Sequence, residues 1–220
     1  MKNYIYVLYQ NYDSLGLGNE EQGTPDCSIS EKPASGSHSA ECKKESNFHV
    51  VDSEHRGLAA LDAVTAIVIA EGYATADTLS QALSCPVVAA FDSGNLPKVA
   101  QVLQKKYPQK PIVIAGDDDL TQESINGKNP GKEKAMEAAQ LVNGAVVLPI
   151  FAPDEQMSQQ LSDFNDLANK SVLGIEAVKR QVGSVVEKVS QQAKQDSLLK
   201  LQVPIEPKQQ EIKQKRALIR

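Results

Sequence analysis

Between Ala66 and Pro149 the chain alternates short, continuous aliphatic runs with segments whose apolar residues recur at helical spacing, and this alternation leaves few folds open. Ile67-Val68-Ile69-Ala70, Pro86 to Phe91, Pro111-Ile112-Val113-Ile114-Ala115 and Ala145-Val146-Val147-Leu148 carry no polar face, as befits strands buried on both sides. The segments between them read as helices. One spans about residues 76–83 behind Thr75. A second is capped by Asn95, with Leu96, Val99, Ala100, Val102 and Leu103 on one broad face. A third opens at Asn129-Pro130, runs through Val142 and closes at Asn143-Gly144. Parallel strands need crossovers of about this length, so the expected fold is α/β: a four-stranded, mainly parallel sheet with helices on both faces.

The flanks of this unit have a different character. Four of the six tyrosines fall in residues 1–12, where Tyr4 to Tyr9 could form a strand, and the stretch to about Asn47 lacks any period of 2 or 3.6. Residues 1–50 are therefore expected to be a variable or disordered segment, 51–170 the folded domain, 171–190 a C-terminal helix and 191–220 a basic tail rich in Gln and Lys.

Charge divides along the same lines. From Glu176 onward there are ten Lys or Arg against five acids, a balance of +5, so the overall −5 leaves −10 for residues 1–175. A generic nucleic-acid binder carries a basic body; here the acids must serve a cation, or the body does not grip phosphates unaided. The longest uncharged apolar run, Ala63 to Ala70, is eight residues, against the ~20 that span a bilayer. No membrane partner is expected. Residues 1–12 lack the apolar block of a secretory signal, so the expected compartment is the cytoplasm, and Cys27, Cys42 and Cys85 are expected as reduced thiols.

Chemistry in a parallel α/β sheet collects at the carboxyl ends of the strands, and the first three expected strands each lead into acid: Glu71, Asp92, and the triplet Asp117-Asp118-Asp119. An oxygen-only set of this kind suits Mg2+ or Mn2+, and like charges so placed repel unless a cation or proton intervenes. A single acid such as Asp92 is also well suited to capping a turn.

These residues carry a resemblance. The strand ending Glu71-Gly72-Tyr73, then Phe91-Asp92-Ser93-Gly94-Asn95-Leu96, the Asp triplet, Asn129-Pro130-Gly131-Lys132-Glu133-Lys134-Ala135 and Asp163-Phe164-Asn165-Asp166-Leu167 are five ordered blocks that resemble the Toprim domain of plasmid and phage primases of the TraC kind, over about Phe48 to Val182. The resemblance implies a Rossmann-like Toprim fold, with Glu71 as general acid/base and Asp117 and Asp119 as metal ligands. It implies that Asp118 is outward or in a supporting position. Replicative primases carry an Asp four residues after the Glu; here that position is Thr75, and Asp77 stands two further on. Lys134 could face substrate phosphates or simply be solvated, and Asp163 and Asp166 form a second carboxylate group or cap the turn before the last helix. Mg2+ or Mn2+ is the implied cofactor, with single-stranded DNA and ribonucleotides as substrates, and a helicase or further primase domains as partners. Lys213, Lys215 and Arg216 are the expected tail contacts to nucleic acid.

Other motifs fail. Gly127-Lys128-Asn129-Pro130-Gly131-Lys132 is too short for a P-loop and has Glu133 where Ser or Thr is needed; Gly16-Leu17-Gly18 follows no strand-to-helix turn. Cys27, His38, Cys42 and His49 match no compact zinc module, so no zinc is expected. Three functional readings stand at this level: a primase-type nucleotidyltransferase or its catalytic fragment, a non-catalytic module binding nucleic acid or a replication partner, and a small Toprim nuclease.

Overall fold

A computed structural model describes residues 46–202. The expected strand at Tyr4 to Tyr9 and the cations Lys213, Lys215 and Arg216 lie outside the described residues. The sheet has five strands in the order β1-β3-β2-β4-β5. These are β1 (His49–Val51), β2 (Ile67–Ala70), β3 (Val87–Ala89), β4 (Ile112–Ala115) and β5 (Ala145–Val147). β2 pairs in parallel with β3 and β4, and β4 with β5, as the four aliphatic runs lead one to expect.

The fifth strand is an addition. His49–Val51 pairs antiparallel with β3, His49 opposite Ala89 and Val51 opposite Val87, within a stretch expected to be disordered up to residue 50. Three residues are too few for a period to register. Burial is what holds them: Val50 is covered on one face of the sheet and Val51 on the other.

Side chains alternate across the sheet. Ile67, Ile69, Ile112, Ile114, Val88 and Val50 point to one side, where α2 (Leu96–Lys106) and α4 (Pro130–Leu141) cover them. Val68, Ala70, Val113, Ala115, Val87 and Val51 point to the other, under α1 (Tyr73–Leu83), α6 (Phe164–Asn169) and α7 (Gly174–Gln202). In chain order α3 (Leu120–Asn126) precedes α4 and α5 (Glu155–Gln159) precedes α6. Full cover on both faces is why the runs read as continuously apolar.

α7 extends to Gln202, well past the expected end near Val189. Its continuation is anchored at Ser190, which is buried and whose hydroxyl bonds to Thr65 Oγ1 at 3.1 Å; beyond it Ala193 is half-buried and Ser197, Leu198 and Leu199 are exposed. Much of the segment expected as tail is thus helix. Among the described residues, no helix is long and apolar enough to cross a membrane.

Candidate active site

The carboxyl ends of β2, β3 and β4 deliver the acids to one edge. Glu71 follows β2 directly, and its backbone neighbour Gly72 caps α1. Beyond β3, Phe91 adopts φ +72°, a left-handed conformation uncommon outside glycine, which turns the chain into Asp92. Asp92 Oδ1 then accepts from Asn95 N–H at 3.0 Å, so this acid caps the short turn that leads into α2. Ser93 N–H donates to the Glu71 carboxylate.

Asp117 stands two residues beyond β4. Gly116 makes this possible, since a Cβ there would lie 2.5 Å from Ala135 Cβ on α4. Asp117 Oδ1 is shut off from solvent and has no hydrogen-bond partner. Burial first, then the charges of Glu71, Asp163, Asp166 and Asp119, push the Asp117 carboxyl up to about 8. Glu71 is raised as well, chiefly by burial, with Asp92 and Asp163 adding repulsion and the Ser93 amide opposing it. Gly131, in the first turn of α4, packs against both: a Cβ placed there would sit 3.1 Å from Asp117 Cβ and 3.5 Å from Glu71 Oε2.

The other members of the triplet face different neighbours. Asp119 Oδ1 caps α3 by accepting from Gln122 N–H at 2.9 Å. Asp118 Oδ1 accepts from Asn129 Nδ2 at 2.8 Å and meets Lys132 Nζ at 3.4 Å. Asn129 is 3% exposed and uses its whole amide. Oδ1 accepts from the amides of Asp119 and Lys132, each at 3.3 Å, and Nδ2 also donates to Glu123 Oε2 at 3.1 Å. One side chain thereby ties the acid loop to the start of α4. Asn129 is legible in sequence as a helix cap and no more; its grip on the acid loop depends on the fold bringing residues ten positions apart together.

Asp163 and Asp166 take up both roles that the sequence leaves open. Asp163 Oδ1 caps α6 through Asp166 N–H at 2.7 Å, while Oδ2 accepts from Thr75 Oγ1 at 2.9 Å; both acids also repel Asp117. Asp166 is further held by Ser162 N–H at 3.1 Å and Lys170 Nζ at 2.7 Å. Two of the sequence candidates are placed apart. Asp77 is bonded to Gln81 on the exposed side of α1, beside a cleft lined by Asp52, Arg56 and Cys85. Lys134 pairs with Glu137 at 2.6 Å in solvent. The cation that does reach the acid loop is Lys132, two residues earlier and so on another face of α4.

Sheet order, the strand-end Glu and the Asp triplet together define a Toprim domain, and residues 66–172 match that family. The domain is of the TraC type. The chain is 38% identical over 209 aligned positions to a protein of Escherichia coli described as DNA primase TraC, an alignment taking in 70% of this chain and 14% of that protein. A second protein of the same description and organism is 38% identical over 231 positions, taking in 80% of this chain and 21% of its own length. The chain thus spans only a minor part, 14% and 21%, of the length of these relatives. No solved structure matches it.

Toprim domains in general bind divalent metals. The donors here fit such an ion: they are oxygen only, mutually repelling, and include one buried oxygen without a partner. Among the described residues, no three His, Cys, Asp or Glu side chains lie close enough to hold an ion by themselves. A cation at this edge would therefore draw much of its coordination from water or substrate phosphate, as Mg2+ commonly does.

Proposed function

We propose that this chain is the Toprim portion of a DNA primase, catalysing metal-dependent nucleotidyl transfer that makes RNA primers on single-stranded DNA in plasmid or phage replication, in the cytoplasm. The observation that carries this reading is the pairing of Glu71 with Asp117 across Gly131, two acids held together at a cost that a divalent cation relieves. The similarity to proteins described as DNA primase TraC supports it.

Asp117 and Asp119 are the proposed ligands of Mg2+ or Mn2+, and Asp163 is a further carboxylate whose charge acts on Asp117. When bound, such ions stabilise the attacking and leaving oxygens of a phosphoryl displacement. Glu71 is half-buried and its carboxyl is raised, which suits it to take the proton from an attacking 3′-hydroxyl. The Ser93 amide orients that carboxylate. Asn129 fixes the loop on which Asp117 and Asp119 ride, so their spacing is set before substrate arrives. Lys132, beside Asp118 and Glu123, is the proposed contact to substrate phosphate.

The test is to incubate the purified chain with single-stranded DNA, labelled ribonucleotides and Mg2+ or Mn2+, scoring oligonucleotide synthesis and DNA cleavage in the same reaction. Short RNA products are expected. Cleavage without synthesis would replace the primase reading with a nuclease one.

A further inference from the structure

A cleft of about 690 Å³ opens beside the acid loop. Asp118 and Leu120 line it together with Ile150, Phe151, Gln156 and Met157. Phe151 is buried, but Ile150 is 69% exposed and Met157 49% exposed, so two large apolar side chains in one cleft remain in water. Their presentation is fixed. Gln181 grips the backbone of Ile150 at both ends, accepting from its N–H at 2.9 Å and donating to its carbonyl at 2.7 Å. Gln156 Nε2 donates to the Asp118 carbonyl at 2.7 Å, and Asp118 N–H donates to the Ser162 carbonyl at 2.8 Å. The apolar wall and the acid loop are therefore tied as one unit.

From this we infer that the cleft is a nucleobase shelf, taking the base of a nucleotide whose phosphate lies at the Glu71–Asp117 edge. The inference rests on the primase reading above. Three features select a base over other occupants. Among the described residues no Lys or Arg lines the cleft, and its two acids, Asp154 and an Asp118 already paired with Lys132, offer a phosphate no donor. The exposed surface is aliphatic and thioether, which suits the flat apolar face of a heterocycle. The cleft also shares Asp118 with the acid loop, and a nucleotide is the substrate that carries an apolar plate and an anionic group joined by a short sugar.

The experiment measures binding of the full chain, with Mn2+ present, to two single-stranded oligonucleotides of equal length, one normal and one abasic throughout. Ile150→Ser combined with Met157→Ser is the variant; both side chains are largely exposed, so the fold is retained. The wild-type chain is expected to prefer the base-bearing strand about tenfold, from the apolar surface of Ile150 and Met157 that a base would cover. The double variant is expected to bind both strands alike, with an unchanged dependence on salt. Equal binding of both strands by the wild type overturns the shelf while leaving the primase reading intact if primers are still made. Retained preference in the double variant overturns it too. Binding of neither strand, with no primer synthesis, overturns both.

Discussion

Thr75 donates its hydroxyl to Asp163 across 88 positions of sequence, at 2.9 Å, and it does so from the position where replicative primases carry an acid. The residue is 2% exposed. In place of a further negative charge, this chain puts a neutral donor that restrains Asp163 beside Asp117 and Glu71. Thr75→Val, which keeps the shape and removes the donor, is expected to cost about 1–2 kcal/mol, or several degrees of melting temperature. Thr75→Asp adds a like charge and is expected to cost more, but that extra loss should be recovered on adding Mn2+, whereas the loss in Thr75→Val should not. Thermal unfolding of the three proteins with and without Mn2+ checks this.

Gly131 separates stability from function. It lies in the first turn of α4, where Ala is the better helix former by up to about 1 kcal/mol, yet a Cβ would press on Asp117 at 3.1 Å and approach Glu71. Gly131→Ala should therefore leave the melting temperature within a few degrees of wild type and reduce primer synthesis by at least about tenfold. Calorimetry beside the synthesis assay reads both.

The fold and the acid cluster were legible to different depths. Four strands stood out because burial on both faces leaves an uninterrupted aliphatic run, and the acids stood out because strand ends are where a parallel sheet collects chemistry. β1 did not, because three residues carry no period and their pairing with β3 joins segments far apart in the chain. Lys132 and Lys134 are equivalent in composition; only the rotation of α4 sends the first to Asp118 and the second to Glu137 in solvent. Likewise the anchor of α7 beyond Val189, the bond from buried Ser190 to Thr65, joins residues 125 positions apart and is not displayed by the sequence near the tail.

Without a divalent cation, stability should fall as pH rises. Asp117 titrates near 8 in the fold against 3.8 in the free residue, so between those values the folded state binds more protons than the unfolded one. The stabilisation from this group is whole below about pH 4 and is lost as pH climbs through 8. Glu71, also raised, acts in the same direction. Asp117→Asn should abolish most of this fall, on the order of a few kcal/mol, and be more stable than wild type at pH 8 in a chelator. Urea unfolding across that range checks the sign.

The boundary of the tail follows from α7. Truncation after Val189 would shorten α7 and remove the Ser190 bond to Thr65, so the informative cut is after Gln202, which removes Lys208, Lys213, Lys215, Arg216 and Arg220. If these bind phosphate, the slope of log affinity against log salt for single-stranded DNA should flatten by ~0.7 for each phosphate no longer neutralised, with Mn2+ binding unchanged. An unchanged slope would assign DNA binding to the body or to a partner.

Asp117 and Asp119 are proposed to hold a divalent cation together with nucleotide, beside Glu71 as the proton acceptor. The most direct measurement of this is a Mn2+ titration followed by electron paramagnetic resonance, on the wild-type chain and Asp117→Asn, with and without a ribonucleoside triphosphate. Weak binding by the wild type alone, and with nucleotide a strengthening of at least about tenfold over protein and nucleotide taken separately that is lost in Asp117→Asn, is the predicted result. Equal Mn2+ binding by wild type and Asp117→Asn in the presence of nucleotide would contradict it.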